Sequence, residues 1–145
     1  MKLNVDAHLW CLGTYRERYV PGGYFEEMKT DEQLKLMSEI KGLDGLCIFY
    51  PTEPLPADPD KLLEKLSHYN LKVSNIGVEG WNNRKWKYGA FSTTEDNVRK
   101  EVIKLFNEGI DFAKGVIADS VLLWLAYDGL DYPFEAEIIE MAESI

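Results

Sequence analysis

What most constrains this chain is an alternation: strand-like stretches are each followed by a helix-like stretch, in the same order, along almost the whole length. Residues 2 to 10 read as a strand, followed by a loop rich in Gly and Tyr to Lys29. Thr30 with Gln33 then forms a capping box for a helix carrying Leu34, Met37 and Ile40, which Gly42 ends. Leu46 to Phe49 is a short apolar strand, and the proline-rich run Pro51 to Pro59 suits only a loop. Asp58 and Pro59 open a second helix with Leu62, Leu63, Leu66 and Tyr69 on one face and Asn70 as a left-handed cap, before a third strand from Val73 to Val78. Ser92 with Glu95 offers another capping box, for a helix bearing Val98, Val102, Leu105, Phe106 and Ile110 that ends near Gly115. Its interior Gly109 costs about 1 kcal/mol against Ala. Ser120 to Trp124 is a fourth strand, apolar enough to expect cover on both faces.

Such alternation predicts an α/β fold with a parallel sheet and right-handed crossovers, either an open doubly wound sheet or an arc of a (β/α)8 barrel. The first strand favours the arc. Period-two alternation puts Leu3, Val5, Ala7 and Leu9 on one face and Asn4, Asp6, His8 and Trp10 on the other. A polar face rising to His8 and Trp10 suits a barrel interior that becomes a site at the strand C-termini. After the polar loop Ala126 to Phe134, residues 135–145 carry Ile138, Met141, Ala142 and Ile145 at helical spacing without a closing Gly or turn, so the expectation is an incomplete ring filling residues 1–145 as one domain.

Composition narrows the partners. A chain of 145 residues, 46% hydrophobic and 12% aromatic, can build a core of its own. The net charge of -9 disfavours nucleic acid, and with it a barrel endonuclease of related fold. The longest apolar runs are too short to span a bilayer and Met1 leads straight into strand-like sequence, so a cytoplasmic protein without a membrane partner is expected. Cys11 and Cys47 lie far apart, without metal-ligand spacing, and read as free thiols.

Four stretches carry a resemblance: His8-Leu9-Trp10-Cys11-Leu12-Gly13, the loop through Arg16, Arg18 and Tyr19, Lys87-Tyr88-Gly89-Ala90-Phe91-Ser92, and Leu122-Leu123-Trp124 followed by Asp128-Gly129. In order and spacing they resemble the N-terminal half of xylose isomerase-like TIM-barrel sugar isomerases. The resemblance implies a partial (β/α)8 barrel of about four βα units, a role in carbohydrate metabolism, and a sugar or sugar derivative as ligand. Trp10, Phe91 and Trp124 would match aromatics that wall the sugar pocket, where flat faces pack against C–H surfaces. Trp10 and Trp124 could equally fill a core at strand ends, and Phe91 could simply pack beneath the Trp81 and Trp86 loop. His8 could donate to a hydroxyl or be a satisfied core histidine. Asp128 could accept from sugar hydroxyls, or serve with Gly129 as a turn pair. Asp131, Glu135 and Glu137 read as helix-dipole partners, and His68 as a surface residue.

Aldose–ketose isomerisation in that family uses divalent cations, Mg2+ or Mn2+, held at strands five to eight of the complete barrel, and this chain offers no such ligands. Where xylose isomerases carry a His at the end of strand two, the match is Phe49. The expectation is therefore a sugar isomerase or epimerase fragment, inactive alone and without a metal site of its own, that self-associates or joins a C-terminal half-barrel. The alternative is a non-catalytic sugar-binding or subunit module.

Overall fold

The structure, a computed structural model, describes residues 4–15, 20–52, 54–81, 83–125, 128 and 137–144. Four strands, β1 (Asp6–His8), β2 (Gly45–Tyr50), β3 (Val73–Val78) and β4 (Ser120–Leu122), form one sheet in the order β1-β2-β3-β4. Every neighbouring pair is parallel. The helices are α1 (Thr30–Glu39), α2 (Pro59–Ser67), α3 (Asp96–Gly115) and α4 (Ile138–Ser144), with short 3-10 turns at Leu9–Leu12 and Arg84–Trp86. The molecule is thus an α/β protein with a four-stranded parallel sheet in sequential order, as the alternation predicts.

Side-chain alternation along β2 and β3 divides the sheet into two unlike faces. Leu46 and Ile48 of β2 and Ile76 and Val78 of β3 face α1, α2 and α3, and with Leu34, Met37, Leu62, Leu66, Val102 and Phe106 they form the core. Fully burying a side chain of this size contributes about 1.5–3 kcal/mol, so this face dominates the stability. Cys47, Phe49, Asn75 and Gly77 point the other way.

Two close approaches set the spacing of these layers. A Cβ on Gly109 would lie 2.5 Å from Val78 Cγ2, so the glycine in the middle of α3 lets the helix settle onto β3. Its propensity cost is accepted in exchange for that contact. On the opposite face, a Cβ on Gly77 would lie 2.5 Å from both Cδ1 and Cε1 of Phe49, so the Phe49 ring occupies the space a side chain at 77 would need.

Several boundaries differ from the sequence expectation. Thr30 does not cap α1: it is the first helical residue, Lys29 precedes it, and Lys29 N–H donates to Glu32 Oε2 at 3.2 Å. Gln33, the expected partner of Thr30, instead donates from Nε2 to the Leu12 carbonyl at 3.3 Å. Nor does Ser92 cap α3, which starts at Asp96; Ser92 is turned inward and buried, and Thr93 Oγ1 accepts from Glu95 N at 3.3 Å. Asp58 does cap α2, its Oδ1 accepting from Lys61 N at 3.1 Å, and Asn70 is left-handed with φ 55°. Ile40 is exposed rather than buried, because α1 ends before it. Trp10 lies in the 3-10 turn rather than on β1.

The largest departure is β4. All three of its residues are exposed, and so are Leu123 and Trp124 after it, so its apolar run lacks the cover on both faces that the sequence leads one to expect. In α4, Met141 is buried as its spacing predicts, while Ile138 and Ile139 are exposed. Arg16, Arg18, Tyr19, Asp131, Glu135, Ile145 and most of the loop Ala126 to Phe134 lie outside the described residues. No helix among the described residues is long and apolar enough to cross a membrane.

Replacing Gly109 with Ala tests the packing of α3 on β3. Ala gains about 1 kcal/mol in helix propensity, but its methyl meets Val78, a stiff, fully buried β-branched residue, and overpacking of that kind costs about 1–3 kcal/mol. The expected outcome is a lowered urea midpoint with an unchanged m-value; a raised midpoint would show that the layers can part.

Candidate functional site

The face turned away from the helices is polar towards the N-terminal ends of the strands. Between Leu46 and Cys47 the β2–β3 register shifts, so Leu46 pairs with Val73 and Cys47 with Asn75, leaving Ser74 as the extra residue. Ser74 Oγ donates to Asp6 Oδ2 at 2.8 Å and lies 3.0 Å from the Leu46 carbonyl. One step along, the Cys47 thiol faces Asn75 Oδ1 at 3.9 Å, and Asn75 Nδ2 donates to Ser120 Oγ at 2.9 Å. Burial, and then the negative charge of Asp6, push the Cys47 thiol up to about 11, so it stays protonated and unreactive at neutral pH. Both cysteines are free, as their spacing predicts.

At the C-terminal ends of the same strands the polar ladder gives way to rings. His8 at the end of β1 lies 4.4 Å from Phe49 of β2 between centroids, and Trp10 lies 5.2 Å from His8 and 5.3 Å from Phe49. Phe49 meets Trp81, just past β3, edge-to-face at 5.0 Å, and Trp81 meets Trp124, just past β4, at 4.8 Å and 62°. A continuous aromatic wall therefore crosses the tips of all four strands. Its His8, Trp10 and Phe49 end borders an open groove of about 1430 Å3 that Thr14, Glu27 and Glu79 also line, while Trp81 and Trp124 lie outside that lining.

Trp10 is 54% exposed and Trp124 47%, which decides against the reading that they fill a core. His8 is held differently from a surface histidine. The Trp10 N–H donates to its Nδ1 at 3.0 Å, which places the ring proton on Nε2, and burial lowers its pKa to about 4. At neutral pH it is an uncharged donor. His68 is exposed, as expected.

Phe91 stands apart from the wall. Its ring packs edge-to-face on Phe106 of α3, at 4.9 Å and 73°, against the core on the helix side. Asp128 is engaged with backbone: its Oδ1 accepts from Phe91 N at 2.8 Å and from Ser92 N at 2.6 Å. His8 and Trp10 thus meet directly and Trp124 joins them only by way of Phe49 and Trp81, while Phe91 and Asp128 meet each other at the loop before α3.

The wall also contains Trp81 and Phe49, neither among the expected ligand contacts, although Phe49 stands where the resemblance would put a His at the end of strand two. The signal for Phe49 was the β2 alternation, which sets it on the face of Cys47 rather than that of Leu46 and Ile48; for Trp81 it was only a position shortly after a strand end.

Neither a family model nor a curated protein matches the chain. The site is therefore read from its geometry. Flat apolar faces and a neutral N–H donor can pack against and donate to a ligand, beside a groove lining that also carries the charged Glu27, Lys29, Asp31, Lys65 and Glu79. No group of three His, Cys, Asp or Glu residues that could hold a metal ion occurs among the described residues.

Two measurements check this arrangement. His8 should titrate by NMR near 4; a midpoint near 6.5 would show that the ring is solvated. Because the folded pKa lies below the unfolded value of 6.5, the neutral ring contributes stability that is complete above about 6.5 and is lost as pH falls through 4. Gly77→Ala should force Phe49 off its seat, reducing the near-ultraviolet aromatic signal while helix content is kept, at a cost of about 1–3 kcal/mol; an unchanged aromatic signal would show that Phe49 does not organise the wall.

Proposed function

We propose that this chain is the sugar-binding half of a barrel-type sugar isomerase or epimerase, resembling the N-terminal half of the xylose isomerase-like enzymes. The observation that carries the reading is the aromatic wall at the strand C-termini, the end at which parallel barrels place their chemistry. The sequential strand order supports it too. A doubly wound sheet reverses order at a switch point, whereas β1-β2-β3-β4 with one core on one side is how an arc of a ring is wound. The bare opposite face would then be the ring interior. Among the described residues the outer edges of β1 and β4 pair with no strand, and a second half, either another copy or a separate C-terminal chain, would cover them.

Within this reading each residue has a limited task. Trp10 and Trp124 offer faces to the C–H surfaces of a sugar, Phe49 and Trp81 fix their angles, and His8 Nε2–H donates to a hydroxyl. With a pKa of about 4, His8 is poorly matched to act as a general base at neutral pH. The divalent cation that aldose–ketose isomerisation uses has no fitting donor set among the described residues. The chemistry of this chain is accordingly to bind and orient, with the hydrogen shift depending on groups from the second half.

Titration of the purified chain with aldopentoses, aldohexoses and the matching ketoses, followed by tryptophan fluorescence, tests the reading. Saturable quenching independent of Mg2+ or Mn2+ is expected. Trp10→Ala and Trp124→Ala should each weaken binding roughly fivefold, for about 1 kcal/mol of ring contact. They should change stability by less than about 1 kcal/mol, since both rings are half-exposed. Quenching that persists in both variants, or none with any sugar, would remove the basis for the proposal. Binding without turnover even beside a complementary half-barrel would instead identify a non-catalytic sugar-binding module.

A further inference from the structure

The loop between β3 and α3 carries Trp81 near its start and Phe91-Ser92 near its end; the segment after β4 carries Trp124 and, four residues later, Asp128. These two segments hold the Trp81–Trp124 pair, the part of the wall farthest from His8. Trp124 is half-exposed, and neither tryptophan belongs to the core. Surface rings without a core to seat them need another constraint to keep a defined angle.

Asp128 supplies one. A single oxygen, Oδ1, accepts two consecutive backbone N–H groups, from Phe91 at 2.8 Å and Ser92 at 2.6 Å, across a separation of more than thirty residues. Hydrogen bonds to an ionised acceptor are roughly twice as strong as neutral ones. The loop is shaped to receive it. Gly89 has φ +90°, and a Cβ there would lie 2.9 Å from Asp128 Oδ1 and 2.3 Å from Ser92 Oγ, so the carboxylate sits where a side chain at 89 would be. On the other side of the same turn, Phe91 is pinned to Phe106 of α3 and Ala90 is buried, so the clasp ties the segment after β4 to the rigid helical layer.

We infer that Asp128 is a positioning residue: it clasps the loop before α3 to the segment after β4 and thereby presets the Trp81–Trp124 corner of the wall, rather than touching the ligand itself. The inference rests on the sugar-binding reading for its consequence, but not for its test.

Two indoles this close and this inclined couple their electronic transitions, so the corner has its own signature, a far-ultraviolet circular dichroism couplet that Trp124→Phe should abolish. Asp128→Ala should also lose the couplet while thermal unfolding stays cooperative. Asp128→Asn, which keeps an acceptor oxygen without the charge, should retain it in part. Gly89→Ala, pushing from the loop side, should reproduce Asp128→Ala. Sugar binding, where the wild type shows it, should weaken on the order of tenfold in Asp128→Ala, the loss expected when the arranged corner is populated about a tenth of the time. A couplet unchanged in Asp128→Ala and Gly89→Ala would overturn the clasp, whatever happens to binding. Equal loss of binding in Asp128→Asn and Asp128→Ala with the couplet intact would make Asp128 a direct ligand contact instead. Should the Ala variants fail to fold, amide exchange in the wild type decides: Phe91 and Ser92 N–H groups should be protected, and exchange at open-loop rates would overturn the clasp. Absence of sugar binding in the wild type, with the couplet responding as stated, would leave the clasp standing and sink only the sugar reading.

Discussion

The structure depends on a sheet whose two faces obey different rules. Because β2 alternates from Leu46 and β3 alternates once past the bulge at Ser74, Leu46, Ile48, Ile76 and Val78 can be surrendered entirely to the helices, leaving Cys47, Phe49, Asn75 and Gly77 to face away from them. Burial on one side supplies the free energy that lets the other side carry polar and half-exposed aromatic groups. Gly109 and Gly77 mark the same division, one by admitting α3 to the sheet and the other by admitting a ring.

The candidate site is graded along the strands. Towards the N-terminal ends, short side chains pair with one another in a hydrogen-bonded ladder from Asp6 through Ser74 and from Cys47 through Asn75 to Ser120. Towards the C-terminal ends, rings replace them, and the uncharged state of His8 fits the change: an imidazolium at that position would lose hydration that its surroundings do not replace. Polar groups are thus satisfied internally below, and donors and flat surfaces face outward above.

Much of this was legible in the sequence where a signal was local and strong. The Asp58-Pro59 start of α2 and the left-handed Asn70 follow from capping chemistry and covalent geometry and recur in the fold, whereas the two-residue period read over residues 2–10 holds only for the short β1, with Val5 exposed and Leu9 and Trp10 in the 3-10 turn. Thr30 and Ser92 each precede an apolar run, the usual cap signal, yet neither caps its helix. At Lys29 the Glu32 carboxylate alone reaches back, and Ser92 is drawn inward at the turn that Asp128 binds. The parts of Phe49 and Trp81 in the wall are not legible locally, because an aromatic contact spanning β1 to β4 is made by chain segments distant in sequence. Strand β4 misled for a related reason: an apolar run reports what a strand could bury, not what lies against it.

That exposed strand is held to the sheet differently from its neighbours. Asn75 and Ser120 align β4 with its neighbour through a polar link, and none of its own three side chains enters the core. Its own attachment therefore rests on backbone pairing with β3 and this polar link rather than on buried side chains, which makes β4 a seam in the sheet, held by hydrogen bonds where the other strands are held by packing.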